Sequence, residues 1–373
     1  MMNMGIKMKC AIIGMGLLGT RHADRLNRHE TTRVVAVCDV IPEKAKGWAE
    51  ANGANAYSDA EEMLKGESID LLVIATQDPY HKAPLLAACA HNVPRVICEK
   101  PLATTLGDAM EVMAAAEKSS SAIKILYPNR LYPIDHSIRL LIGNGFIGAP
   151  EFGEFRIDDA IDVPLQLWGE DSKKYTSISS PVHFLFSHAI DLLYFILGRK
   201  VEKVYAIGRT SRVGSEVDYM DSFLTYEGGA VIRLKTEWTK RINRLVENYL
   251  QLTATKGGFI FNKTGGFLCE QGLSFVMDEG EEKAIEAREL LAGHGYASEV
   301  EKCGETGGYS IVMREADGGN GFDWDDGICV YADSFDKPEP ALAPLTSLMD
   351  GFEQVKVVEA LYKSAREGRE VTL

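Results

Sequence analysis

Gly14-Met15-Gly16-Leu17-Leu18-Gly19 follows directly on Lys9-Cys10-Ala11-Ile12-Ile13, a short and largely apolar run that glycine brings to a stop. Such a run reads as a buried parallel strand, and Leu17 to Arg28 reads as the helix after it. The three glycines play separate parts. Gly14 permits the tight turn, Gly16 lets the backbone approach a pyrophosphate, and Gly19 lets the helix pack closely on the strand. The free N–H groups at the helix start, Leu17 and Leu18 among them, and the positive end of the helix dipole then favour phosphate. The next strand, Arg33 to Cys38, delivers Asp39. An acid about 20 residues past the glycines is placed to bond ribose hydroxyls. Its charge repels a 2′-phosphate and no arginine follows closely, so the expected cofactor is NAD, with NADP less favoured. A plainer reading has the glycines only turning the chain and Asp39 only capping a helix. The order strand, glycines, helix, strand, acid argues against it.

The alternation continues beyond Asp39. Helices are expected over Pro42 to Asn52, Asp59 to Lys65, Pro79 to His91 and Leu106 to Lys118. Strands are expected over Ile69 to Ala75, Arg95 to Cys98 and Ala122 to Tyr127. Alternating elements predict a doubly wound parallel sheet with ligands outside the carboxyl ends of its strands. Gly14, Asp39, Thr76 and Lys100 all fall at such ends. After Tyr127-Pro128 the pattern changes. Helices at Pro133 to Ile142 and Pro181 to Leu197 accompany extended runs at Glu151 to Asp158, Val201 to Arg209, Asp221 to Tyr226, Ala230 to Trp238 and Tyr249 to Thr255. Hairpin-type turns between such runs predict an α+β domain on a largely antiparallel sheet. The expected organisation is a Rossmann domain over 1–127 and an α+β domain over 128–344. A closing helix over 345–367, with Gly351 as a candidate kink, would return to the first domain. Gly293 to Gly327, rich in glycine and acids, reads as a long loop or insertion.

Composition narrows the function classes. A chain of 373 residues with a formal net charge of −14 does not suit a nucleic-acid groove or an anionic membrane surface. The seven cysteines are Cys10, Cys38, Cys89, Cys98, Cys269, Cys303 and Cys329; they are scattered and never spaced C-x-x-C. That pattern points to a reducing compartment and to no structural zinc. Met1 to Lys7 lacks the apolar core of a signal peptide, and no apolar run reaches membrane-spanning length. The expected location is the cytoplasm.

Two residues carry the expected chemistry. Lys100, at a strand end in a dinucleotide domain, can hydrogen-bond a substrate oxygen and stabilise developing alkoxide charge. A lysine merely paired with Glu99 at the surface is the alternative. His188 lies in Pro181-Val182-His183-Phe184-Leu185-Phe186-Ser187-His188-Ala189-Ile190-Asp191, three residues from Asp191 and on the same helix face. That pair could fix a tautomer and supply a base; a histidine satisfied inside an apolar helix is the competing reading. His183, His188 and Asp191 lack a metal-site spacing, so no metal is expected.

These motifs, in this order, resemble the glucose–fructose oxidoreductase and inositol dehydrogenase (Gfo/Idh/MocA) family over nearly the whole chain. The resemblance rests on Gly14 to Gly19, on Ala75-Thr76-Gln77-Asp78-Pro79-Tyr80-His81, on Val96-Ile97-Cys98-Glu99-Lys100-Pro101-Leu102-Ala103, and on Ser187-His188-Ala189-Ile190-Asp191-Leu192. The second segment has Gln77 where the family usually has proline. The resemblance implies that Lys100 is catalytic, that its peptide with Pro101 is cis, and that His188 is the acid/base residue. It also implies that Ala75, Thr76, His81 and Glu99 join the glycines, Asp39 and Lys100 at the cofactor. Asn129, Arg130, His183 and Asp191 would line the substrate site. One departure stands out: many relatives carry aspartate four residues before the histidine, where this chain has Phe184. His183 is adjacent but about 100° round a regular helix.

The expected activity is NAD-dependent hydride transfer to or from a ring hydroxyl of a sugar, cyclitol or related molecule. Two other readings are an NAD-dependent glycosidase or lyase with a transient redox step, and a non-enzymatic NAD(H) sensor. A homodimer or homotetramer is expected, with a small carbohydrate or polyol as the partner molecule.

Overall fold

The computed structural model describes residues 7–167, 172–264, 271–304, 307–314, 323–336 and 345–373. Cys269, most of the segment read for a signal peptide, and parts of the Gly293–Gly327 stretch lie outside them. The chain divides into two compact units: residues 1–128 with 323–355, and residues 129–322 with 356–373. Among the described residues no helix is long and apolar enough to cross a membrane.

The first unit is the doubly wound sheet. Its elements run β1 (Met8–Ile13), α1 (Leu17–Arg28), β2 (Thr32–Cys38), α2 (Pro42–Asn52), β3 (Asn55–Tyr57), α3 (Ala60–Gly66), β4 (Leu71–Ile74), α4 (Lys82–Ala90), β5 (Arg95–Glu99), α5 (Leu106–Ala116) and β6 (Ala122–Leu126). The strands pair in the order β3-β2-β1-β4-β5-β6, all parallel. Leu71, Leu72, Val73 and Ile74 of β4 are all fully buried, as a central strand covered on both faces must be. Helix boundaries follow local chemistry. Asp59 caps α3 by accepting from Glu62 N–H, Thr105 caps α5 by accepting from Asp108 N–H, and Gly53 closes α2 in the left-handed conformation.

The second unit is built on a sheet of ten strands. It holds α6 (Pro133–Gly143), β7 (Pro150–Ala160), α7 (Ser172–Thr176), α8 (Ser187–Leu197), β8 (Val201–Arg209), β9 (Tyr219–Tyr226), β10 (Val231–Lys240), β11 (Val246–Ala254), β12 (Gly257–Asn262), β13 (Gly272–Met277), α9 (Glu281–Gly293), β14 (Glu299–Lys302) and β15 (Tyr309–Arg314). The order is β14-β15-β13-β12-β11-β7-β10-β9-β8-β16, with β16 at Val371–Thr372. Among the described residues only β7 and β10 of this sheet pair in parallel; the rest are antiparallel. β10 shows the expected alternation: Ile232, Leu234, Thr236 and Trp238 are fully buried on one face, while Arg233, Lys235 and Glu237 alternate onto the other. Gly293 to Gly327 is not one long loop. It contains β14 and β15, which extend the sheet edge beyond β13. β14 is short and charged, which hid it from a periodicity reading.

Two later helices complete the chain: α10 (Gly327–Asp333) and α11 (Leu348–Glu367). α10 and the first part of α11 belong to the first unit; the rest of α11 belongs to the second. α11 is unbroken at Gly351, and the glycine serves close approach instead: a Cβ there would sit 2.8 Å from Ile125 Cγ1. Leu348, Phe352 and Val355 join the core of the parallel sheet. Thr346 and Ser347 cover the β6 edge, with Ile125 N–H donating to Thr346 O at 3.1 Å.

The Tyr331 hydroxyl on α10 ties these parts together. It accepts from the Tyr127 N–H at 3.2 Å and the Thr346 N–H at 3.3 Å, and all three residues are fully buried. Tyr331→Phe leaves both amides without that acceptor. Each orphaned buried donor costs about 1–3 kcal/mol, so guanidinium unfolding of this variant should show a loss of at least about 1 kcal/mol.

Candidate active site

In the first unit the sheet register sets the site. Ile13 pairs with Cys38 and with Ile74, and Ile74 pairs with Cys98. The residues just beyond, Gly14, Asp39, Ala75, Thr76, Glu99 and Lys100, therefore line one rim. Gly14 has φ +94°, a left-handed conformation, and a Cβ there would lie 2.6 Å from Ala75 O. A Cβ on Gly19 would lie 1.7 Å from Gly14 O, so α1 packs on the turn only through glycine. A Cβ on Gly16 meets nothing within 4 Å. Gly16 is the N-cap of α1, which has no side-chain cap and no acid in its first turn. Leu17 and Leu18 are exposed beside it. An uncapped helix start behind an open glycine fits a pyrophosphate.

Asp39 stands across this turn. One carboxylate oxygen accepts from Met15 N–H at 2.7 Å and the other from Ile41 N–H at 2.9 Å. Each oxygen keeps acceptor capacity for a ribose hydroxyl. The observed donor set thus suits the adenosine half of NAD.

Lys100 is 5% exposed, and its peptide with Pro101 is cis. Glu99 is buried beside it. His22 Nε2 lies 2.7 Å from Glu99 Oε1, and Lys100 N–H donates to Glu99 Oε2 at 3.2 Å. Burial opposes ionisation of Glu99, but the His22 hydrogen bond, with the charges of His22, Lys100 and His81, holds its carboxyl below the ordinary value. His81 is fully buried, with Nδ1 2.6 Å from Pro101 O and Nε2 3.0 Å from Thr76 O. It links the loops after β4 and β5. His22 was not among the expected site residues; its only signal was a histidine three positions after Gly19, on the same helix side as Ala23 and Leu26, which are buried with it.

In the second unit, Asn129 and Arg130, consecutive residues of the 3-10 turn Pro128–Leu131, both reach α8. Asn129 Nδ2 lies 3.5 Å from His188 Nδ1. Arg130 Nε donates to both Asp191 oxygens at 3.1 and 3.0 Å, and Nη2 to Oδ1 at 2.6 Å. Arg130 thus holds the Asp191 carboxylate, and Asn129 is a neighbour of His188 Nδ1. Val182–Phe186 is a π-helical turn, so the 100° spacing of a regular helix does not hold there. His183 packs against Tyr362, with ring centroids 5.1 Å apart and the planes tilted by 32°. Phe184 packs edge-on to Tyr175 and beside Trp238.

Lys263 and Asp135 also escaped the sequence reading. Lys263 Nζ donates to Asn129 Oδ1 at 3.1 Å and pairs with Asp135, which is fully buried. Burial pushes the Asp135 carboxyl up, against the opposing pull of Lys263. Among the described residues no group of three or more histidine, cysteine, aspartate or glutamate side chains is placed to hold a metal ion.

Comparison with known proteins agrees with this fold. Residues 8–127 match the oxidoreductase family with an NAD-binding Rossmann fold, and residues 136–260 match the GFO/IDH/MocA C-terminal domain. An inositol 2-dehydrogenase of Rubrobacter xylanophilus is 28% identical over 60% of this chain, an alignment that spans 63% of the relative's own length. A D-apiose dehydrogenase of Paraburkholderia graminis is 25% identical over 98% of this chain and 90% of its own. The crystal structure of an inositol dehydrogenase homolog from Azotobacter vinelandii, complexed with NAD+, superposes with a TM-score of 0.78 at 16% identity, each chain fully covered.

Two substitution pairs check this geometry. Gly19→Ala should destabilise the protein by more than about 3 kcal/mol, beyond the usual range for one substitution. Gly16→Ala should stay within about 0.5 kcal/mol of the parent in stability yet weaken NAD binding measured by calorimetry. In the second unit, Arg130→Ala strands a buried carboxylate and should cost about 3–5 kcal/mol in urea unfolding; the double change Arg130→Met with Asp191→Leu should recover most of that loss.

Proposed function

The chain belongs to the GFO/IDH/MocA family of NAD-binding oxidoreductases, and from that premise we propose that it is a dehydrogenase acting on a ring hydroxyl of a sugar or cyclitol. The observation that carries the reading is the rim itself: a glycine turn and Asp39 for the adenosine half of the cofactor, with buried Lys100 two strands away in the same sheet. The names of the relatives, an inositol 2-dehydrogenase and a D-apiose dehydrogenase, support the substrate class.

The proposed parts divide as follows. The α1 N-terminus and the Gly14–Gly19 turn bind the pyrophosphate, and Asp39 selects NAD over NADP by repelling a 2′-phosphate. NAD+, when bound, supplies the hydride acceptor. Lys100 and His188 handle the substrate oxygen and its proton. The Glu99 carboxylate, held by His22, lies beside Lys100, and His81 holds the Lys100–Pro101 loop against the loop after β4. Arg130 and Asp191 act on the site by fixing the turn that carries Asn129. Six free cysteines among the described residues, five of them buried, support a cytoplasmic protein, and assembly into a homodimer or homotetramer is part of the same proposal.

The test is NADH formation over a panel of inositols, aldoses, apiose and sugar acids. One member should give a signal with NAD, and Lys100→Ala should lower turnover at least about 100-fold while NAD binding by calorimetry persists. Near-normal turnover in Lys100→Ala would overturn the assignment.

A further inference from the structure

His81 meets acceptors at both ends of its ring. The residue is fully buried, with Nδ1 2.6 Å from Pro101 O and Nε2 3.0 Å from Thr76 O. A backbone carbonyl oxygen accepts hydrogen bonds and never donates them. A neutral imidazole has one N–H and one bare lone pair, so in that form one of the two carbonyls would face a lone pair. Such a contact, buried, gives up a hydrogen bond and adds a repulsion. The imidazolium donates at both nitrogens and satisfies both carbonyls.

A buried cation needs a counter-charge close by. Glu99 supplies it. Its carboxyl is buried at the end of β5, kept ionised by the His22 hydrogen bond, and feels the charge of His81. The two strand ends concerned are neighbours, since β4 pairs with β5. Lys100 is therefore fixed on both sides along the chain. Before it, Glu99 Oε1 meets His22, and Glu99 Oε2 accepts the Lys100 N–H at 3.2 Å. After it, the Pro101 carbonyl is held by His81, whose other nitrogen holds the loop after β4 at Thr76.

We infer that His81 is a positioning residue: a doubly protonated clamp, with Glu99 as its counter-charge, that ties the loop after β5 to the loop after β4 and so fixes how Lys100 leaves the sheet. The inference lies wholly within the first unit, and it rests on the dehydrogenase reading for the part that Lys100 plays. His81 takes no proton from substrate and gives none. Both of its N–H groups are spent on backbone carbonyls, so it serves the cofactor rim through the loops it joins. Lys100 keeps a carboxylate beside it, as suits a donor that stabilises charge on a substrate oxygen.

The experiment is 15N–1H multiple-bond NMR of the full chain labelled with 15N-histidine, at neutral pH and without cofactor or substrate. His81 is assigned by loss of its signals in His81→Gln. The expected result in the parent is the imidazolium pattern, with both His81 nitrogens protonated. Glu99→Gln keeps an acceptor for His22 but removes the charge, and there His81 should fall to one protonated nitrogen. His81→Gln offers one amide in place of two ring donors; it should lower turnover about 10–100-fold on the substrate found in the panel, while NAD affinity by calorimetry is kept. A neutral His81 in the parent overturns the inference, as does an imidazolium unchanged in Glu99→Gln, or parental turnover in His81→Gln. Where a variant fails to fold, the parent spectrum decides, with His81 assigned through its backbone signals. An imidazolium His81 in a protein silent across the substrate panel would instead overturn the dehydrogenase reading and leave the clamp standing.

Discussion

The level register of four parallel strands is the constraint on which the first half of the site depends. β1, β2, β4 and β5 end in step, so Gly14, Asp39, Ala75 and Glu99 emerge on one rim with no side chain needed to bring them there. What the side chains add is closure. Gly14 N–H donates to Cys38 O and Ala75 N–H donates to Ile13 O, both at 2.8 Å, which joins the glycine turn to its neighbours on either side. Asp39 then accepts from the turn at Met15. A dinucleotide site of this kind is a property of the backbone first, and only glycine fits where the backbone closes on itself, at Gly14 and Gly19.

Charge in the second unit is organised differently. Arg130–Asp191 and Lys263–Asp135 are buried pairs whose partners come from distant parts of the chain. Taking such charges out of water is costly, and pairing repays it only when the geometry is good. Their value here is specificity. Each pair fixes one neighbour in a single orientation: Arg130 fixes the turn that carries Asn129, and Lys263 fixes the Asn129 amide.

Much of this was legible in the sequence because it is local. The parallel strands are continuous apolar runs, the glycine turn has a fixed spacing, and β10 alternates cleanly between faces. Lys100 was legible as a residue at a strand end. The pairings across long separations were not. His22 and Glu99 are 77 residues apart, and Lys263 and Asn129 are 134 apart. No periodicity in either segment announces its partner. The three-residue spacing of His188 and Asp191 was a true statement about a helix face, but Arg130 reached the carboxylate from another element. β14 was missed because an edge strand such as Glu299–Lys302 buries too little to carry an apolar pattern.

The most direct measurement of the central claim follows the hydrogen. A substrate identified by turnover is prepared with deuterium at the carbinol carbon, and the cofactor is recovered and analysed by mass spectrometry. Deuterium in the recovered NADH, in amount equal to the carbonyl product, is the predicted result for a dehydrogenase that moves hydride from a ring carbon. Cofactor recovered as NAD+, with the label retained in a product whose glycosidic bond has been cleaved, would contradict it.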